Sequence, residues 1–404
     1  MWQGKDNNAS ADPESSWGNV TNSRSIGIVE TNSSGVPRLV IACPYLEASS
    51  IDTDSAIAKV TAETSQDFAT NGVEHTPGVV SQKTPSNTQR RRKYPLIFIV
   101  APDEEYRMVD DSSGNSNVSL SSQDNATVYE FDFDAAHTTQ DWTNHETIYA
   151  DQSSGNDLNT YADGVNAMVR RDDGPQRTSP ARNVTTEYSV GDVVALVNPQ
   201  VNVSTGTSTI SEASIQQADE GEALSEIGRM SVDDGIEVQN SFPIPINPNG
   251  SYRIEEVNNN VEVGFTYQWD FNTHNAILFN SGDSESTIEQ NFRDLDQNAS
   301  NGFNASNGFN RVRVGSSTSL RTPSQDNITI VLAHVELNPT SLEEAAAQIT
   351  LGSSTDVSFV YHDAESSDFD TQRTMMAVLQ PGESWEVTGT NFYVLNRTEW
   401  VMQA

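Results

Sequence analysis

The chain has 404 residues and carries 57 Asp and Glu against 22 Lys and Arg, a formal net charge of −35 at pH 7. Like charges repel across a Debye length of about 10 Å at roughly 0.1 M salt but only about 3 Å near 1 M, so this ledger predicts a chain that folds properly only in high salt. It also excludes nucleic acid and anionic membranes as general partners, and a single cysteine, Cys43, excludes an internal disulfide and any cysteine-based zinc site.

Low hydrophobicity with high net charge is also the signature of disorder, but apolar runs of strand length recur throughout and argue for a globular protein. The strongest run, 94–101, is eight residues long, far short of the 18 or so apolar residues of a membrane span. The first residues lack the apolar stretch of a signal peptide. The expectation is therefore a chain with neither a transmembrane segment nor a standard secretion signal.

Residues 1–24 are rich in Ser, Asn, Asp and Gly and read as a flexible or partner-ordered polar arm. An N-terminal region, 25–93, follows, with strand candidates at 25–30 and 38–45, a helix candidate at 55–68 and a polar boundary stretch at 75–89. It ends in the basic tetrad Arg90, Arg91, Arg92 and Lys93. A β-rich block, 94–240, opens with the continuous apolar run 94–101 and continues with the alternating segment 127–133. Residues 158–190 read as loop, 191–204 as a strand, and 210–230 as the best long-helix candidate, interrupted by Gly221.

The last block, 241–404, begins at a proline-rich segment. Its period-2 segment 261–269 is followed by short strand candidates at 276–279, 311–314, 328–337, 357–361, 375–379, 385–387 and 392–395. Turns such as Pro381-Gly382 separate them. Ser341-Leu-Glu-Glu344 has the form of a capping box and predicts a short helix continuing to Ile349, with Gly352 just past its end. Many short strands separated by turns, with one or two short helices, predict an all-β protein built from β-sandwich or jelly-roll modules. The tandem repeat of Asn-Ala-Ser-Asn-Gly-Phe at 298–303 and 304–309 reads as an expanded loop tip.

No nucleophile elbow, zinc-protease helix, phosphate loop or dinucleotide fingerprint is present, so the expectation is of no enzyme and no cofactor. Cys43, inside an apolar run, reads as core rather than as a nucleophile. His137 and His145, beside Asp141 and Glu146, are metal ligands only if the fold brings them together. The rows Glu130/Asp132/Asp134, Asp294/Asp296 and Asp368/Asp370 have two readings, a solvated acidic face or a working pair of carboxylates. In a chain with this many acids the solvated face is preferred. Asp294, Asp296, Asn298 and Ser300 form the candidate metal loop, because Asp296-x-Asn298-x-Ser300 copies the start of an EF-hand, but Gly302 stands one place late and no Glu closes the loop. Such acidic loops are candidates for Ca²⁺, Mg²⁺ or Na⁺/K⁺.

The tetrad 90–93 is read as a contact for an acidic surface, on a neighbouring copy or on this chain, with nucleic acid or lipid contact at an inner face as the alternative. Trp142, Trp269 and Trp385 are read as core, with sugar stacking as the alternative.

Only four lysines occur, Lys5, Lys59, Lys83 and Lys93, a style resembling the proteins of extreme halophiles. Together with the β-rich pattern, the abundance of Asn, Ser and Thr and the missing catalytic motifs, the chain resembles, in composition and style and without a motif match, the structural virion proteins of haloarchaeal viruses. The resemblance implies a capsid, vertex or turret protein, or else a receptor-binding tail fibre or spike. Its partners would be copies of itself and other virion proteins, with a host surface glycan or glycoprotein for the tail reading, and its localisation the virion after synthesis in the host cytoplasm. The rival from another class is a halophilic carbohydrate-active enzyme using Asp132 and Asp134.

Overall fold

The computed structural model describes residues 3–5, 18–33, 38–49, 56–73, 75–84, 89–100, 103–134, 147–151, 168–172, 188–189, 194–204, 210–232, 237–247, 249–258, 261–271, 309–325, 328–340, 343–352, 355–363 and 371–402. These residues form an all-β protein of five sheets. Every strand pairing in it is antiparallel except that of Thr147–Asp151 with Met168–Asp172.

In the five-stranded sheet the order is Gln3–Lys5, Thr127–Asp134, Arg38–Cys43, Leu96–Val100, with Gly18–Asn19 also on Thr127–Asp134. The ten-stranded sheet runs from Thr147–Asp151 through Val261–Phe271, Val194–Ser204, Glu237–Ser241 and His75–Thr84 to Ala56–Ser65, Glu105–Asp110 and Glu30–Thr31. The six-stranded sheet has the order Ser116–Ser119, Tyr45–Ser49, Gln89–Lys93, Thr355–His362, Ala345–Leu351, Trp385–Thr390. Two four-stranded sheets contain Ser211–Ala218 beside Ser225–Val232, and Phe392–Met402 beside Thr329–Leu337 and Thr371–Leu379. Pairings cross the block boundaries expected from the sequence. Glu237–Ser241 bonds to His75–Thr84, and Gln89–Lys93 to Thr355–His362, so backbone hydrogen bonds tie the three blocks together.

The sheets share one continuous apolar core that includes Leu39, Ile41, Phe98, Phe131, Leu332, Val360, Trp385 and Trp400. Arg38–Cys43 and Leu96–Val100 are buried at every position, the mark of strands covered on both faces. Cys43 lies in this core and its Sγ accepts from the Phe359 N–H at 3.3 Å, with burial pushing the thiol up to about 11.

Three expected helices are strands. The segment expected helical over 55–68 is the strand Ala56–Ser65, which turns Ala56, Ala58, Val60 and Ala62 inward at period 2. Ala, Lys and Glu favour helix locally, but alternate small residues let this strand lie under a neighbouring sheet, and packing overrides propensity. The segment 210–230 is the hairpin of Ser211–Ala218 and Ser225–Val232, with Gly221 at φ +75° in the connecting turn. Ala345–Leu351 replaces the third helix, with Ala345, Ala347, Ile349 and Leu351 buried in strict alternation. Of the capping box, Ser341 lies outside the described residues, while Thr340 and Glu343 close a turn through reciprocal backbone bonds and Thr340 Oγ1 accepts from the Glu343 N–H at 3.1 Å. The stretch 75–89, expected as a boundary, holds the strand His75–Thr84.

Among the described residues the one α-helix is Phe68–Asn71, capped by Asp67, which accepts from the N–H groups of Ala69 and Thr70. The loop-tip repeat lies outside them except for its last residue, Phe309, where the strand Phe309–Arg313 begins.

At Gly389 the edge strand Trp385–Thr390 meets Ala345–Leu351 so closely that a Cβ would stand 2.0 Å from the Ala346 carbonyl oxygen. Gly389→Ala is therefore expected to destabilise the protein by at least about 2 kcal/mol. Urea unfolding at fixed molar salt tests this, and an unchanged midpoint would contradict the placement of this edge.

Candidate functional site

The residues that the sequence marks as chemically distinctive fall into two clusters. The first is the acidic row. Glu130 and Asp132 do share one face of Thr127–Asp134, as alternation requires, but that face is buried, with the two residues 5% and 2% exposed. Asp132 stands directly opposite Arg38 in register. The Arg38 guanidinium grips both Asp132 oxygens, with Nη2 to Oδ2 at 2.9 Å, and reaches Glu130 Oε2 at 2.8 Å. Arg24, just past the 3₁₀ turn Thr21–Ser23, donates from Nε to Glu130 Oε1 at 2.8 Å and pairs with Glu30 at 3.2 Å. The Tyr106 hydroxyl donates to the same Glu130 oxygen and accepts from Arg24 Nε at 2.8 Å.

Burial disfavours the charge on Arg38, yet the Asp132 hydrogen bond and the two carboxylates outweigh it and hold the guanidinium above its ordinary value. Burial and the Glu130 charge together push the Tyr106 hydroxyl up. Glu130 and Asp132 are thus not a solvated face: each of their oxygens is engaged by Arg24, Arg38 or Tyr106. The side chain of Asp134 lies outside the described residues. An open groove of about 350 Å³ beside Arg24 is lined by Thr21, Asn22, Ser119 and Ser121. Its hydroxyls largely serve the turn: Ser119 Oγ accepts from the Ser121 N–H at 2.9 Å and Ser121 Oγ from Gln123 at 3.2 Å.

The second cluster is the basic tetrad, which is the strand Gln89–Lys93 between Tyr45–Ser49 and Thr355–His362. Alternation splits its charges. Arg90 and Arg92 turn inward, and Arg92 is fully buried and ion-paired with Asp363. Lys93 is buried with its ammonium 5.6 Å from the Phe359 ring and 5.2 Å from Tyr361, and burial holds its pKa down. Arg91 alone exposes half its side chain, 3.8 Å from Glu47. Of the four cations expected to meet an acidic surface, Arg91 is the exposed one, and Arg91 and Arg92 both meet acids of this chain, Glu47 and Asp363. Alternation turns Arg90 and Arg92 to the inner face, whereas Lys93 shares the face of Arg91 but is buried against the Phe359 and Tyr361 rings.

A cluster that sequence reasoning missed fastens the C-terminal strands. Arg397 lies 3.9 Å over the fully buried Trp385 ring and donates to the carbonyls of Ser317 and Ser319 at 3.0 and 2.7 Å. Glu399 accepts from Trp385 Nε1 at 2.9 Å and from Arg321 at 2.9 and 3.0 Å. Trp385 is therefore core and unavailable for stacking a sugar, while Trp142 and the side chain of Trp269 lie outside the described residues. The only advance signal was the alternation of Arg397 and Glu399 on one strand face.

Asp294, Asp296, Asn298 and Ser300 all lie outside the described residues, as do Asp368, Asp370, His137, His145 and His274. Among the described residues no group of three or more His, Cys, Asp or Glu is placed to hold a metal ion, and no helix is long and apolar enough to cross a membrane. No protein-family model matches the chain, and no curated protein is significantly similar to it.

Two histidines are buried beside the strand Thr371–Leu379. His334 is opposite Thr374, near Glu226, Arg229 and Gln372, and burial lowers its pKa to about 4. Burial and the charges of Arg92, Arg373 and Arg90 hold His362 well below 6.5, and Thr371 Oγ1 lies 3.4 Å from its Nε2.

Two predictions follow from these clusters. Arg38→Met takes the guanidinium away from two buried carboxylates and is expected to cost about 3–5 kcal/mol, whereas Arg91→Gln stays within about 0.5 kcal/mol. Equal losses in denaturant titrations would contradict the assignment of frame and surface. For the histidines, the folded pKa lies below the unfolded value of 6.5, so the unfolded chain takes up the extra proton. Stability is then complete above about pH 6.5 and falls as pH drops toward 4. The wild type is expected to lose about 3 kcal/mol more than His334→Gln between pH 7 and 4. Parallel losses would contradict a buried neutral imidazole.

Proposed function

We propose that the chain is a self-assembling, non-enzymatic structural component of a virus particle from a high-salt environment, a capsid, vertex or turret subunit of jelly-roll type. The observation that carries this reading is the use to which the charged constellations are put. The best carboxylate pair, Glu130 and Asp132, is saturated by Arg24, Arg38 and Tyr106, and three of the four tetrad cations are buried in a central strand. These groups spend their charge on joining sequence-distant strands, which is what a rigid building block needs and what a glycosidase cannot spare. Strands from residue 3 to residue 402 are interleaved in shared sheets, which resists shear in a way that loosely strung domains do not. The partners are then further copies of the chain and other virion proteins, and its place is the particle.

Light scattering with negative-stain microscopy on the purified chain in molar salt tests this. Rings, trimers or shell fragments of defined symmetry are expected. A monodisperse monomer at every salt concentration would contradict the proposal.

A further inference from the structure

The outer edge of Thr127–Asp134 is covered by the chain's own first residues, in two pieces. Gly18 and Asn19 pair with Glu130 and Tyr129. The cover continues where the Val20 N–H donates to the Val128 carbonyl at 3.0 Å and Thr21 Oγ1 accepts from the Val128 N–H at 2.9 Å. Further along the same edge, Lys5, Gly4 and Gln3 pair with Asp132, Phe133 and Asp134. Both pieces run antiparallel to the strand they cover, so they are two halves of one edge strand.

The arithmetic between the halves is unusual. Gly18 is opposite Glu130 and Lys5 is opposite Asp132, so the two attachment points are about 7 Å apart at roughly 3.4 Å per residue. One residue opposite Phe131 would join them. The chain instead spends residues 6–17, whose contour is roughly 40 Å at about 3.3 Å per residue. The piece at the far end has only three residues, with glycine at its centre, and glycine weakens a strand. A connection of that length reaches the same edge on a neighbouring copy as readily as the edge on its own chain.

We infer that the edge at Asp132–Asp134 is a strand-accepting site for residues 3–5 of a second copy of this chain, so that subunits are joined by exchange of their first strands. The exchange reproduces the same backbone hydrogen bonds between copies and needs no new complementary surface. The acceptor is pre-ordered, because Asp132 is locked to Arg38 beneath it and Gly18–Thr21 fixes the register beside it. This inference rests on the self-assembly proposed above.

The test uses full-length chains of two sizes, a tagged Gly4→Cys variant and an untagged Phe133→Cys variant, mixed in molar salt, mildly oxidised and compared on a non-reducing gel beside light scattering. The native Cys43 is buried and serves as the internal control. A covalent heterodimer is expected in assembled material, and deletion of residues 1–5 is expected to weaken assembly by at least about tenfold in concentration. Assembly without a heterodimer, and unaffected by the deletion, would overturn strand exchange while leaving the structural role intact. A chain that stays monomeric would overturn both. If Phe133→Cys fails to fold, the deletion alone decides between the outcomes.

Discussion

The rest of the structure depends on one electrostatic constraint: with a net charge of −35, a carboxylate must either face solvent or meet a guanidinium. Glu130, Asp132 and Glu399 are buried, and each is held by arginine. Arginine suits this work because its planar fork binds both oxygens of a carboxylate and keeps its charge under desolvation. The scarcity of lysine beyond Lys93 and the persistence of arginine to Arg397 are then two sides of one allocation.

The buried pairs also locate the sheets. Arg38 joins the second and third strands of the five-stranded sheet across their register, and Arg24 brings in the turn that leads from the N-terminal edge. Arg92 ties the tetrad strand to Asp363 after the strand beside it, and Arg397 pins the 317–319 loop over Trp385. Between these fixed points the apolar alternation of the strands fills one continuous core. That use of charge as fastening is what supports the building-block role proposed above.

Much of the β pattern was legible in the residues. The period-2 segment 261–269 and the apolar run 94–101 lie where Val261–Phe271 and Leu96–Val100 occur, because alternation and strand-length apolar runs report burial directly. Two of the three misread helices share a cause: Ala56–Ser65 and Ala345–Leu351 combine several alanines with Lys, Glu or Gln, and alanine reads as helical unless a neighbouring sheet is known to lie above it. The acidic row was legible as a shared face but not as a buried one, since Arg38 and Arg24 stand about a hundred residues away in sequence and only the fold brings them in. The burial of the tetrad was hidden for the same reason, since the acid and the rings that meet Arg92 and Lys93, Asp363, Phe359 and Tyr361, lie far away in sequence.

The charge divides into buried pairs that salt hardly touches and a net acidic excess whose repulsion salt screens. Thermal unfolding of the full chain at pH 7, followed from dilute buffer to molar sodium chloride, tests that division most directly. The account predicts a transition that is absent or very low in dilute buffer and rises steeply toward molar salt. A melting temperature unchanged across that range would contradict it.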